Sequence, residues 1–326
     1  MKALIIISRD QDKPSTRFRF VQYEELLAER GVTLEYILRD EIDAEVLARI
    51  PDYDVLINQK CLMKKSLAKK IIAASRRIIF DMDDAIWTRA DRNYSWYTAW
   101  RVQSRLRQWL SAANVVTVAN DYLGSYARQF SSHVEVIHMA LDMKKWQPRE
   151  KNGNQIVTMG WAGSPATLKN LEHIGKILCE CLRSNPGLRL AVYSGKRPEF
   201  PCEFEFTPFI PGTEAAFVKQ LDIGLLPLPS DDEFTRGKSP IKALQYMASG
   251  VPVIGQVRGA TAEIMNATNS LQVETESDWK LAIKALFADA QKRQQLGDAG
   301  RDFVLREHSM QRTVEQIVTV MKGAQG

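Results

Sequence analysis

The sequence predicts an α/β protein made of two parallel-sheet halves in tandem. Three observations carry that expectation. Short apolar runs alternate with longer stretches of helical periodicity, as in "ALIII" before Phe20–Arg30 and "RIIF" before Trp96–Ser111; this alternation implies βαβ units and a parallel sheet. It is interrupted once, by the polar stretch "DMKKWQPREKNGNQ" (Asp142–Gln155), and then resumes. With 326 residues, 45% hydrophobic and 25% charged, the chain has length for two cores and a globular composition, which excludes disordered and fibrous classes.

In the first half, strands are expected at Ala3–Ile7, Val55–Ile57, Arg77–Phe80, Val115–Val118 and Val134–Ile137. Helices are expected at Phe20–Arg30, Lys64–Ala74, Trp96–Ser111 and Tyr122–Phe130. Pro148 and Gly153 mark the linker. The second half opens with "IVTMGWAG" and continues through "LRLAVYSG", "FEFTPFI", "DIGLLPL" and "VPVIG", separated by helical patterns at Leu168–Cys181, Glu214–Gln220, Pro240–Ser249 and Asp278–Ala288. Two closing helices, Ala290–Glu307 and Met310–Lys322, have no strand after them. The expected domains are residues 1–148 and 149–308, each Rossmann-like, with residues 309–326 as a trailing helix; ligands of such pairs sit at the carboxyl ends of the strands.

The balance of 44 basic against 39 acidic residues, +5, is too mild to call for nucleic acid and suits anionic ligands or a weak membrane-surface contact. Cys61, Cys179, Cys181 and Cys202 form no CxxC pair and the four histidines are scattered, so neither a metal site nor a disulfide framework is expected, and a reducing cytoplasm fits. The opening "MKALIIIS" is too short for a secretory leader, and no run approaches about twenty apolar residues.

The most informative stretch is "FTRGKSPIKALQYMASGVPVIG", Phe234–Gly255. Ser239 is placed as the N-cap and Pro240 as the first residue of a short helix that stops at Gly250 before the next strand. Unpaired amides and the dipole at that N-terminus favour an anion. Arg236, Lys238 and Lys242 add cationic side chains where they oppose the dipole, so a phosphate partner is expected; a solvated basic loop is the bland alternative. "GWAGSPATLKN" offers a second phosphate loop, with Gly163 for close backbone approach, Ser164 at the helix start and Lys169 one turn along.

The segment "DIGLLPLPSDDEFTRGKSPIKALQYMASGVPVIG" resembles the donor-binding region of family 4 glycosyltransferases of the GT-B fold. "VTMGWAGSPATLKNL" is similar to the first strand, phosphate loop and helix of that family's donor domain, and "VTVANDYLGSYA" to a segment of its acceptor domain. "LGDAGRDFVLREHSMQRTVEQIV" is similar to its closing helices, and the similarity spans nearly the whole chain. The resemblance implies two Rossmann-like domains facing a central cleft, with the last helix returning to the N-terminal domain. It implies transfer of a sugar from a nucleoside diphosphate donor to a hydroxyl of a glycan or lipid-linked saccharide, with retention of configuration, no metal and no cofactor. One departure stands out. The family's two glutamates, eight positions apart, fall on Gly237 and Gln245; Gln245 can still bond a ribose through its amide, whereas Gly237 offers no side chain and leaves Asp231, Asp232 or Glu233 as substitutes near the sugar.

In the first half, "RIIF" runs into "DMDDAIW". Asp81, Asp83 and Asp84 repel one another at a strand end and so need a cation, donors or a catalytic task. Asp83, with Asp84, is the expected acceptor-side catalytic carboxylate, and Asp81 a local cap. The loop "SRDQDKPSTRFRF" has no glycine, which argues against a dinucleotide fingerprint; it resembles the family's arginine loop and puts Arg17 and Arg19 forward as acceptor-binding groups. Tyr94, Trp96, Tyr97 and Trp100 suit stacking on sugars, with Trp96 the acceptor candidate, or a lipid interface; core packing is the alternative. Lys60–Arg77 is a basic stretch, by default a solvated helix face, that would also suit anionic lipid headgroups. A GT-B epimerase and a non-catalytic sugar-nucleotide-binding protein are the rival readings.

Overall fold

The alternating runs form two sheets of six strands, every pairing in them parallel. The computed structural model describes residues 1–89, 94–148 and 156–323. One unit comprises Met1–Ala140, Asp232–Ser239 and Met310–Gly326; the other comprises Leu141–Asp231 and Pro240–Ser309.

The first unit has strands β1 (Lys2–Ile7), β2 (Thr33–Leu38), β3 (Val55–Gln59), β4 (Ile78–Met82), β5 (Val115–Val118) and β6 (Val134–Val136), in the order β2-β1-β3-β4-β5-β6. Its N-terminal helices are α1 (Pro14–Arg19), α2 (Glu24–Ala28), α3 (Ala44–Arg49), α4 (Lys65–Ala74), α5 (Trp96–Ala112) and α6 (Asp121–Ala127). Along β1, Leu4 and Ile6 enter one core layer and Ala3, Ile5 and Ile7 the other, so the strand reads as a continuous apolar run because both faces are covered. The helix expected over Phe20–Arg30 starts earlier and is broken: α1 begins at Pro14, and Phe20, with φ −136°, ends it before α2.

The second unit has β7 (Val157–Ala162), β8 (Leu188–Ser194), β9 (Glu205–Pro208), β10 (Ile223–Leu226), β11 (Val253–Gly255) and β12 (Ser270–Gln272), in the order β12-β11-β10-β7-β8-β9. Its helices are α7 (Leu168–His173), α8 (Gly175–Ser184) and α9 (Glu214–Val218). The next helix, α10 (Glu233–Gly237), belongs to the first unit; α11 (Ile241–Ala248), α12 (Glu276–Ala288) and α13 (Ala290–Glu307) complete the second. The helix expected over Leu168–Cys181 is two helices. Chain direction changes at Ile174, and Gly175 lies so near Phe200 that an added Cβ would be 2.8 Å from its ring.

The last helix, α14 (Met310–Lys322), buries Val314, Ile317, Val318 and Met321 in the first unit's core beside Ile5 and Ile57. The expectation of no disulfide is corrected: Cys179 of α8 is bonded to Cys202, with Cα atoms 5.5 Å apart. The spacing is 23 residues, which no short motif reports. Such bonds persist mainly in oxidising compartments, so the cysteine pattern no longer argues for a reducing one. Among the described residues no helix is long and apolar enough to cross a membrane.

Candidate functional site

In the second unit, α11 is fixed to the sheet by Tyr246. Its ring lies over Gly224 of β10, where a Cβ would come within 2.6 Å, and its hydroxyl accepts a 2.9 Å hydrogen bond from the Ala162 amide at the end of β7. One turn earlier on the helix, Lys242 is thereby carried to the carboxyl end of β7. Its ammonium sits 4.4 Å from the centre of the Trp161 ring and donates to Thr167 Oγ1 at 3.1 Å. Gly163 closes the arrangement: a Cβ there would lie 2.2 Å from Trp161 Cζ2 and 2.5 Å from Lys242 Nζ. A cation, an aromatic ring and a hydroxyl therefore meet at one strand end, over a glycine that leaves them room. Thr167 was not among the expected residues; its place in the turn Pro165–Thr167 could have been read from its position one turn after Gly163.

Ser164 and Lys169 are exposed on the same loop and helix start, and Gln245 is buried in α11 at 7% exposure. Gly250 ends α11 with φ +66°, as expected of a residue past a helix end. The start of α11 differs from expectation. Pro240 takes the N-cap position and no side chain caps the helix, because the preceding residues form α10, capped by Asp232, whose side chain accepts from the Thr235 amide at 2.7 Å.

That short helix relocates four expected residues. Glu233, Arg236, Lys238 and Ser239 belong to the first unit, where Glu233 and Arg236 are exposed and Lys238 lies 5.5 Å from the centre of the Phe234 ring. Gly237 packs onto the first unit's interior. A Cβ on it would be 2.7 Å from Ala85 Cβ and 3.0 Å from Leu123 Cδ2, and its carbonyl accepts from Asn120 Nδ2 at 3.1 Å. No glutamate fits at this position.

The first unit has its own polar cluster at the carboxyl ends of β3 and β4. Asp81 is fully buried and accepts from Arg19 Nε at 3.2 Å, Arg19 Nη2 and Thr117 Oγ1 at 2.7 Å. Burial works against the charged Arg19, but the charge and hydrogen bond of Asp81 outweigh it and raise its pKa. Arg19, expected to meet an acceptor, is instead 5% exposed and committed to Asp81 and to the Ile137 carbonyl. Arg17 is half-buried over the Phe18 ring.

Asp83 is also buried, at 3% exposure. Ser15 donates to its Oδ2 at 2.5 Å, and Lys60 Nζ lies 2.5 Å from its Oδ1 and 2.8 Å from Asp84 Oδ2. Burial would raise the Asp83 pKa, yet Lys60 and the Ser15 hydroxyl hold it below the ordinary carboxylate value; Lys60 is correspondingly raised. Lys60 has φ +46°, the one positive value at a non-glycine among the described residues. This strained backbone aims its side chain between the two carboxylates. The oxygens of Asp81 and Asp83 are thus engaged by the protein's own groups, the cations Arg19 and Lys60 and the hydroxyls of Thr117 and Ser15. Asp84, with a side chain 32% exposed, is the more accessible carboxylate. Trp96 is elsewhere: it begins α5, is 82% exposed, and meets Tyr97 edge-on at 5.9 Å.

The comparisons bear on this geometry. The model of a family described as glycosyl transferase-like matches residues 172–319. Anabaena Alr3699/HepE, solved in complex with UDP and glucose, superposes with a TM-score of 0.74 at 13% identity, covering 99% of this chain and 100% of that one. Sucrose-phosphate synthase from Thermosynechococcus elongatus gives 0.72 at 14%, covering 98% of each chain. The chain has the GT-B fold. An alpha-glucosyltransferase solved with UDP and a 13-mer DNA gives 0.66 at 12% identity over 99% of this chain and 100% of that one. No curated protein sequence matches.

Proposed function

We propose that the protein is a glycosyltransferase of the family 4 type, moving a sugar from a nucleoside diphosphate donor to a hydroxyl of a glycan or lipid-linked saccharide with retention of configuration. The observation that carries this reading is the cation at Gly163: Lys242 stands at a strand end with its ammonium on Trp161 and Thr167, in a position that the missing side chain of Gly163 leaves free. Glycosyl transfer from such a donor loads negative charge onto the departing diphosphate, and a preorganised ammonium stabilises that charge more in the transition state than in the ground state. The GT-B proteins solved with UDP and UDP-glucose support a uridine donor as the first to try.

On the acceptor side, Asp84 is the group we assign to orienting the attacking hydroxyl. Lys60 holds it in place and is itself paired with Asp83, whose oxygens face Lys60 and Ser15. Gln245 is assigned to the ribose. The test is release of UDP from UDP-glucose by the full-length protein, with and without sugar acceptors, in the parent and in Lys242→Met. UDP release that falls by about two orders of magnitude in the variant supports the assignment; unchanged release refutes it. A second reading, a sugar-nucleotide-binding protein without turnover, is favoured by the closed position at Gly237, and donor binding without UDP release would identify it.

A further inference from the structure

We propose that the outer face of α4 and α5 is a docking surface for a bilayer of anionic lipid. At 100° per residue, Trp96, Trp100, Ser104, Arg107 and Ser111 share one side of α5, spanning about 80°, while Trp109 lies directly opposite and Leu106 and Leu110 on one flank, all three fully buried. Trp96, Tyr97 and Trp100 are 82%, 52% and 62% exposed. They form one patch: Tyr97 meets Trp96 edge-on and stacks with Trp100 at 6.2 Å. Leaving three large aromatic rings together in water is costly unless something covers them.

The charge around the patch says what covers it. α4 contributes Lys65, Lys69 and Lys70 and α5 contributes Arg101 and Arg107, and neither helix contains an Asp or Glu. The two helices adjoin, since Gln108 donates to the Lys65 carbonyl at 3.3 Å and Arg105 to the Leu62 carbonyl. Lys65, Trp100 and Arg107 line a common open groove of about 530 Å³. Indole and phenol rings on adjoining helices that carry cations and no Asp or Glu match the boundary of an anionic leaflet, where rings enter the headgroup layer and cations meet phosphates. A second copy of this face is a poor occupant, because a two-fold contact would bring like charges together. The chain's overall charge of only +5 speaks against nucleic acid.

The surface is independent of the sugar-transfer reading, and its test uses no substrate. The full-length protein is floated with vesicles of phosphatidylglycerol and phosphatidylcholine, or of phosphatidylcholine alone. Binding to the anionic vesicles is expected, and Trp96→Ser with Trp100→Ser should weaken it at least tenfold. Lys69→Glu with Arg107→Glu should weaken it about fivefold per charge removed, and further for the charges added. Lys219→Glu with Lys284→Glu, the same charge change on exposed residues of the second unit, should leave it near the parental level. Melting curves confirm that each variant is folded. Equal binding to neutral vesicles, equal loss in the control pair, retention by the tryptophan variant, or binding to a soluble single-stranded oligonucleotide in place of vesicles would each overturn the proposal.

Discussion

Replacing Gly163 by alanine tests the donor-side geometry with one carbon atom. The new methyl would sit 2.2 and 2.3 Å from two ring atoms of Trp161 and 2.5 Å from Lys242 Nζ. Trp161 is 1% exposed and walled in by the second unit's core, so its ring cannot yield, whereas the lysine can swing. The ammonium is therefore displaced from its seat on the ring and on Thr167. Overpacking of this kind costs about 1–3 kcal/mol of stability. A lost hydrogen bond from a charged group costs about 1.5–3 kcal/mol, which is about ten- to hundredfold in affinity. Titration calorimetry with UDP should show that loss in Gly163→Ala and in Lys242→Met, and no further loss in the double variant, because both remove the same contact. A folded Gly163→Ala protein that binds UDP as tightly as the parent would refute the assignment of this strand end to phosphate.

Three further outcomes follow from the same structure. Gly237→Ala should lower the first unit's stability by about 1–3 kcal/mol, a fall of several degrees in melting temperature, because its Cβ meets Ala85 and Leu123, both fully buried; an unchanged melting temperature would show that the segment is not seated there. Asp83 has a depressed pKa, so its contribution to stability is present above about pH 4 and is lost as pH falls through the folded value; the raised Lys60 contributes below about pH 10 and loses that contribution as pH rises through its own folded value. In Lys60→Met the buried Asp83 loses its main counter-charge, so denaturant titrations should show a protein about 3–5 kcal/mol weaker at pH 7 that recovers stability towards pH 5, and parallel pH profiles for variant and parent would contradict this. Reducing the Cys179–Cys202 bond, which closes a 23-residue separation, should cost about 3 kcal/mol, read as a lower denaturation midpoint with dithiothreitol that is absent in Cys179→Ser.

The strands buried on both faces are legible as apolar runs, and two edge strands, β6 and β9, are legible as well from their valines and aromatic residues. β1, β3, β4 and β10 carry apolar runs buried on both faces, and the carboxyl ends of β3, β4 and β7 locate the two polar clusters. β2 and β12, which escape a reading by apolar runs, are edge strands: β2 alternates exposed Thr33 and Glu35 with apolar neighbours, and β12 has three residues. At the site, Lys242 and Gly163 are legible because a glycine after a strand and a lysine at a helix start leave a local signature. Lys60 is not, because nothing in "NQKCLMKK" distinguishes the one lysine whose backbone turns to positive φ from its solvated neighbours. Arg19 and Arg17 look alike in sequence as well. Only packing separates them, since Arg19 lies on the buried side of α1 with Thr16 and Phe18.

Gly237 gives the departure from the family pattern a physical cause. A carboxylate at this position would need room for at least a Cβ, and Ala85 and Leu123 fill that room, while Asn120 fixes the carbonyl in place. The glycine is therefore required by the packing of α10 on α6, and restoring a glutamate alone would unseat the helix before it added any chemistry. In the proposed reaction, relief of charge at the departing diphosphate would then rest on cations, for which the candidate at the end of β7 is Lys242, with its ring, its hydroxyl and its glycine. If the protein turns over a sugar nucleotide, it does so without a side-chain carboxylate at residue 237, and activity should be more sensitive to loss of Lys242 than to any substitution among the exposed acids of Asp231–Glu233.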